Sequence, residues 1–545
     1  MVPWQDRAAA KRAQLHASIP SAWLLPASTL AAPPSDVRSI PRSSGILSEL
    51  ELKITEEDNA AVILEKIRSR EWSSEQVTLA FCKRAAIAQQ LTCCLTEILF
   101  DRALKRAKEL DEHLETTGEV VGPLHGLPVS LKEQFDIEGV ESTMGFVSRI
   151  GHNSSSSAVL VSLLESLGAI PHCRTNIPQT LLSDESTNNV FGRTLNPSNT
   201  SLTAGGSSGG EAALLAMRGS PLGVGTDLGG SIRKPASFTG LYSLRPTSRR
   251  LPYAGASNIF AGAEALESVL GPMANSLESL EVFMKAVVGA KPWEWDSRVI
   301  EREWKEQEEE GRKCFAIMRW DGLVRCHPPI ERALDEVTEA LRKAGHEVVD
   351  WEPLDHAGAQ EIVSKIFDSD GGEDVKQWLG DSGEPIMPQV FTSQHPAMSA
   401  HESWQLNKKR DEYRQLFLKT WLATATSTQT GRPIDAIICA TAPHLAAPHL
   451  ESPRPGGLIT YTTVWSLLDL PCYTFPVGVV DEQKDPQPLA GAYTPVSEVD
   501  KENWEGYSPE LYKNAPVVLQ VINPRRFRED ELLGLGGDIE KALGR

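Results

Sequence analysis

The spacing of apolar positions changes along this chain, and each change marks a different kind of element. Residues 1–55 mix short helical patches with "LPASTLAAPPSDVRSIPRSSG", a Pro/Ser-rich stretch that predicts an arm lying over a larger body formed by residues 56–545. From "TEEDNAAVILEKIRSREWSSEQVTLAFCKRAAIAQQ" onward apolar residues recur at helical spacing, and Ser73 or Ser74 is placed to cap a second helix ahead of Glu75. "GPLHGLPVSLKEQFDIEG" then reads as a short β run ending at Lys132, and "SSAVLVSLLESLGAIPHCRTNIP" as a helix, a Gly168 stop and another strand. Glu211 to Arg218 predicts a short helix stopped by Gly219, "PLGVGTD" a strand, and "GGSIRKPAS" a tight turn into a brief helix. Further on, "KCFAIMRWDG", "ERALDEVTEALRKAG" and "HEVVDWEP" spell strand, helix, strand. Residues of about 355–430 are polar and helical, which reads as a lid or insertion, whereas "PIDAIICATAP", "LPCYTFPVGVV" and "APVVLQVI" are apolar enough to complete a buried sheet. The alternation predicts an α/β fold.

Composition narrows the function classes. With 545 residues, 41% hydrophobic and 23% charged, the chain has ample material for a large core. Its 54 basic and 73 acidic residues leave a net charge of −19, which opposes general affinity for nucleic acid or anionic membranes and leaves small neutral ligands open. The opening residues lack the apolar core of a secretory signal and no run of about 18 apolar residues occurs, so the expected setting is the cytoplasm. The eight cysteines are scattered, with only Cys93 and Cys94 adjacent, which predicts buried thiols and neither a metal site nor a disulfide framework.

The densest chemical signal is "TAGGSSGGEAALLAMRGSPLGVGTDLGGSIRKPASFTG", with nine glycines between Thr203 and Ser231. Bare backbone of this kind suits either a phosphate cradle or an oxyanion hole. A Walker loop would need a lysine where Glu211 stands, and no G-x-G-x-x-G lies between a strand and a long helix, so nucleotide binding is disfavoured and no cofactor is expected. Acyl transfer fits better. In "DLGGSI" the N–H groups of Leu228, Gly229, Gly230 and Ser231 can turn toward one point beside the Ser231 hydroxyl. The base is less evident, because no histidine falls between His172 and His327 and no G-x-S-x-G elbow occurs; a distant histidine stays open.

Three stretches together carry a resemblance. "GLPVSLKEQFDIEG", "GGSSGGE" and "GTDLGGSIR" resemble the amidase signature family in order and spacing, and the likeness runs from about residue 60 to the C-terminus. "TNIPQTLLSDESTNNVFGRTLNPSNTSLTAGGSSGGE", "HPPIERALDEVTEALRKAGHEVVDWEPLDH" and "IPSAWLLP" look most like its fungal acetamidase branch. The resemblance implies a single large, mostly parallel mixed sheet flanked by helices, and a catalytic set of Lys132, Ser207 and Ser231 with a cis peptide at Gly206–Ser207. It implies that Ser231 attacks the amide, that Ser207 relays protons, and that a neutral Lys132 accepts them. An ordinary lysine, with a pKa of about 10.4, would be charged at neutral pH, so burial at the end of "LPVSL" has to depress it. Asp227 and Arg233 are expected to hold the Ser231 turn, Ser208 and Thr226 to support it by hydrogen bonds, and Leu181 and Ser183 to contact the acyl group. Lys234, where the family commonly has an apolar residue, and "LYSLRPT" depart from the pattern outside the catalytic set.

The resulting expectation is an amidase acting on a small-molecule amide without metal or cofactor, with a homodimer compatible with the sequence. Two rivals share the scaffold: the glutaminase subunit of a tRNA-dependent amidotransferase, and an idle amidase-like binding module. The N-terminal arm and central segment oppose the first, and the intact Lys132, Ser207 and Ser231 oppose the second.

Overall fold

Pro128–Lys132 (β2) is buried at all five positions, as a strand covered on both faces must be, and that double burial explains its unbroken apolar run. The computed structural model describes residues 2–306, 311–380, 382–393, 395–449, 458–489, 491 and 493–545. Around β2 the sheet is built from Leu95–Ile98 (β1), Ile170–Thr175 (β3), Leu222–Asp227 (β6), Tyr242–Arg245 (β7), Val269–Ala274 (β8), Cys314–Ile317 (β9), Glu347–Asp350 (β10), Ala436–Ala440 (β11), Cys472–Val479 (β12) and Pro516–Ile522 (β13). Thr187–Asn188 (β4) and Gly192–Arg193 (β5) form a separate small ribbon.

Among the described residues the large sheet has eleven strands in the order β1-β3-β2-β6-β8-β7-β12-β13-β11-β9-β10. The expected large mixed sheet flanked by helices is present. Its parallel pairings are gathered in two wings, β3-β2-β6 and β11-β9-β10, and antiparallel pairings join those wings through β8, β7, β12 and β13. The physical reason is connection length: a parallel neighbour needs a crossover helix, which the helices Val159–Ser166, Gly209–Ala216 and Pro328–Lys343 supply only in the wings.

The first wing positions the site. Because β2 and β6 run parallel, with Ser130 opposite Gly223 and Leu131 opposite Val224, their carboxyl ends emerge side by side at one sheet edge. In open α/β sheets that edge is where ligands bind. Helix boundaries differ slightly from the periodicity. Ser73 is the cap of Ser74–Thr92, in a capping box with Gln76, and the helix expected at 211–218 starts at Gly209 and ends at Ala216. β8 carries Gly271 and Pro272 in its middle, which is why its sequence does not read as a central strand.

Ala8 and Leu15 of the first helix pack with Val147, Val190 and Phe191, and Lys11 pairs with Glu97 at 2.5 Å and Glu141 at 3.1 Å. Residues 355–430 contain the helices His356–Phe367, Glu373–Leu379 and Ala400–Ala423; the first packs on the helix Thr460–Leu468 and on Ala400–Ala423. No helix among the described residues is long and apolar enough to cross a membrane.

Candidate active site

Lys132 closes β2 with no solvent exposure, and its Nζ lies 2.7 Å from both Ser207 Oγ and Thr226 Oγ1. Burial dominates its ionisation and pushes it well below the ordinary lysine value, although the Asp227 and Glu211 carboxylates pull the other way. Hydrogen-bond direction can then be followed outward. Gln134 Nε2 donates to the Ser257 carbonyl at 2.7 Å, which turns Gln134 Oε1 toward Thr226. The single Thr226 proton goes to that oxygen, so Thr226 accepts an N–H from Lys132. A neutral Lys132 held this way has its lone pair free to face the Ser207 hydroxyl. Gln134 was not singled out in the sequence; the signal available was its place two residues beyond Lys132 in "LKEQ".

Glu211 is the second residue the sequence reading undervalued. It is fully buried, accepts hydrogen bonds from Ser130 Oγ and, at 2.6 Å, from Thr175 Oγ1, and burial raises its pKa to about 7 despite those bonds and the nearby Lys132. It sits in the first turn of Gly209–Ala216, where the helix dipole favours a carboxylate.

Ser207 follows a cis Gly206–Ser207 peptide. Gly206 has no room for a side chain, since a Cβ there would stand 2.1 Å from the Ser183 carbonyl oxygen. Ser186 braces the turn: its Oγ donates to the Gly205 carbonyl and accepts from the Gly209 N–H, both at 3.0 Å. Ser208 connects this turn to the next. Its N–H donates to the Ser231 carbonyl at 3.1 Å and its hydroxyl to the Thr226 carbonyl at 3.3 Å.

The Ser231 turn is built on Asp227. Its carboxylate accepts from Gly230 N–H at 2.8 Å, Ile232 N–H at 3.2 Å, and Arg233 Nε and Nη2 at 3.0 Å each. Burial alone would raise the Asp227 pKa, but the Arg233 charge, its hydrogen bonds and Arg245 hold it down to about 2. Arg233 also reaches Ser466 Oγ at 2.8 Å and the Thr462 carbonyl at 3.1 Å, tying the turn to the helix Thr460–Leu468.

One expectation needs correction here. Gly230 N–H is engaged by Asp227, and Thr462 Oγ1 donates to the Gly229 carbonyl at 2.7 Å, so both polar atoms of the intervening peptide are taken up within the protein. Of the four expected donors, Leu228, Gly229 and Ser231 keep N–H groups without a protein partner among the described residues. The capping carboxylate outcompetes the oxyanion role at Gly230, whose φ of +134° is one that only glycine adopts readily.

Ser231 is half-buried and its hydroxyl has no hydrogen bond among the described residues; Ser207 and Ser231 are not bonded to each other, but both line one cavity of about 220 Å³. Thr226, Leu228 and Gly229 line it too, as do Leu181 and Ser183, the latter beside the Gly206–Ser207 turn. Lys234 Nζ pairs with Asp184 at 2.8 Å, so the unusual lysine is a buried ion-pair partner.

Comparison with known proteins places this chain in a class. The sequence pattern of the family described as Amidase matches residues 76–533, and the chain belongs to that family, the amidase signature enzymes. It is an amidase, an enzyme of amide hydrolysis. It is 40% identical over 552 residues to an acetamidase of Aspergillus oryzae, covering 99% of each chain, and 41% identical to an acetamidase of Emericella nidulans, covering 99% of this chain and 98% of that one. Among solved structures, a fatty acid amide hydrolase superimposes with a TM-score of 0.93 at 35% identity, over 99% of this chain and 95% of the other.

Proposed function

We propose that this amidase cleaves a small carboxamide through an acyl-enzyme on Ser231, with Ser207 as proton relay and Lys132 as the neutral base. The observation that carries this reading is the 2.7 Å separation of a fully buried Lys132 Nζ from Ser207 Oγ, with Thr226 oriented to leave the lysine lone pair for that hydroxyl. Ser231 Oγ forms a bond to the amide carbon while its proton passes to Ser207 and the Ser207 proton to Lys132. The carbonyl oxygen becomes an oxyanion beside the N–H groups of Leu228, Gly229 and Ser231. When the C–N bond breaks, Ser207 gives a proton to the departing nitrogen and recovers one from Lys132. Water then adds to the acyl carbon by the same relay and releases the carboxylate.

The described lining of the cavity includes one charged side chain, Asp184, which is already paired with Lys234. That favours a neutral amide over free glutamine, and so favours the amidase over the amidotransferase subunit. Eight free cysteines, seven of them buried, suit a reducing compartment such as the cytoplasm. The test is labelling by a fluorophosphonate followed by peptide mapping. Stoichiometric modification at Ser231, absent in Ser231→Ala, is the expected result; modification elsewhere with turnover retained overturns the assignment.

A further inference from the structure

Three phenylalanines line the cavity that Ser231 also lines, and their rings are half-buried. Phe260 and Phe367 stack with ring centroids 6.2 Å apart and planes 4° from parallel, and Phe391 tilts against Phe367 at 6.3 Å. This stack begins at the reaction centre: a Cβ on Gly229 would lie 3.4 Å from Phe367 Cζ. An acyl group carried on Ser231 therefore lies against aromatic faces and edges, which bind flat rings in offset or edge-on contact. The space agrees. A cavity of about 150 Å³ in an unrelated protein holds benzene, and this one is about 220 Å³.

A second observation adds a polar requirement. Gln389 lines the same cavity, is 2% exposed, and its side-chain Nε2 has no hydrogen-bond partner among the described residues. The segment that bears Gln389 and Phe391 is held firmly, with Met387 N–H donating to Gln179 Oε1 and Phe391 N–H to the Leu182 carbonyl, both at 2.8 Å. A buried donor on a fixed segment costs free energy until a ligand acceptor meets it.

We propose that the acyl group this site selects is aromatic, a flat ring one or two bonds from the carboxamide carrying a hydrogen-bond acceptor that meets Gln389, and that Phe260, Phe367 and Phe391 select it over a short aliphatic acyl group. The inference rests on the acyl-enzyme reading for where the acyl group sits. It goes beyond that reading, because two of the named relatives are acetamidases and an acetyl group would leave most of the cavity unfilled.

The experiment compares kcat/KM on acetamide, phenylacetamide, 4-methylphenylacetamide and 4-methoxyphenylacetamide. Phenylacetamide is expected to exceed acetamide by roughly 10²-fold, the scale of burying a ring, and the methoxy compound to exceed the methyl one by about tenfold. Phe367→Ala is expected to shrink the phenylacetamide-to-acetamide ratio at least about tenfold, and Gln389→Leu to abolish the methoxy preference, each checked by thermal melting for intact folding. Calorimetric binding of phenylacetamide and acetamide to Ser231→Ala separates the two readings. Tight aryl binding without turnover in the wild type would support the pocket and sink the mechanism. Efficient turnover in the wild type with acetamide equal to or better than phenylacetamide would overturn the aromatic assignment alone.

Discussion

The floor and the wall of the cavity are built on opposite principles. The floor, at the ends of β2 and β6, is a buried polar network in which Lys132, Thr226, Gln134, Ser208, Asp227 and Arg233 are bound to one another or to backbone. The wall mixes Leu181, Ile259, Phe260, Phe367 and Phe391 with polar side chains, comes from three separate segments around residues 181–183, 258–260 and 360–391, and contains Gln389, whose Nε2 has no partner among the described residues. A satisfied polar network in low dielectric is rigid and intolerant, because removing one member leaves another unpaired. An apolar lining loses contact area in small increments instead. On the proposed mechanism, chemistry that demands fixed proton positions sits on the first kind of surface, and choice of substrate on the second.

That contrast can be broken at several points. The largest effect is expected at the floor, where Ser231→Ala and Lys132→Ala should each lower kcat/KM by about 10⁴-fold or more in folded protein; steady-state kinetics showing losses under tenfold would dissolve the distinction. Ser207→Ala should cost about 10²–10⁴-fold, with a greater loss on an amide than on its matched ester, since an amine leaves poorly unless protonated. Equal losses on the two would make Ser207 a structural serine.

The third expectation is thermodynamic. Asp227→Asn strips the counter-charge from buried Arg233 and should destabilise the fold by about 3–5 kcal/mol, read as a lowered denaturation midpoint. Asp227 has a depressed pKa, so its contribution is present above the unfolded value of about 3.9 and is lost as pH falls through about 2 in the fold. By comparison Ser183→Ala on the wall should shift stability by less than about 0.5 kcal/mol. The fourth concerns protonation: burial lowers the Lys132 pKa, so the base is neutral above that lowered value, and kcat/KM should rise with pH along a limb centred below the ordinary lysine value of about 10.4. A limb centred at the ordinary value contradicts the buried base. The smallest effect is expected from Gln134→Glu, which keeps an acceptor for Thr226 and should lower kcat/KM about tenfold less than Gln134→Leu, which leaves the Thr226 proton without a partner.

The floor was far more legible than the wall. Lys132 ends an apolar run, and Ser207 and Ser231 lie in glycine turns on either side of one helix and one strand, so local spacing already put them in order. Asp227 and Arg233 were readable as a pair for the same reason, six residues apart around one turn. Local reading went astray at Gly230, where a bare N–H looks available in sequence but is claimed by a carboxylate three residues earlier.

What the sequence determined by itself is therefore the class of chemistry, because the proposed catalytic groups sit in short turns whose glycines, caps and strand ends are local properties of the chain. Only the tertiary structure decided which donors stay free, which way Thr226 and Gln134 point, and which side chains line the cavity. Parallel pairing of β2 and β6 brings Lys132 to Thr226 across 94 residues, and Phe260, Phe367 and Phe391 meet from segments that no periodicity connects. Those outcomes depend on packing between distant parts of the chain, where side-chain volume and competition for each hydrogen bond are settled only when every partner is in place.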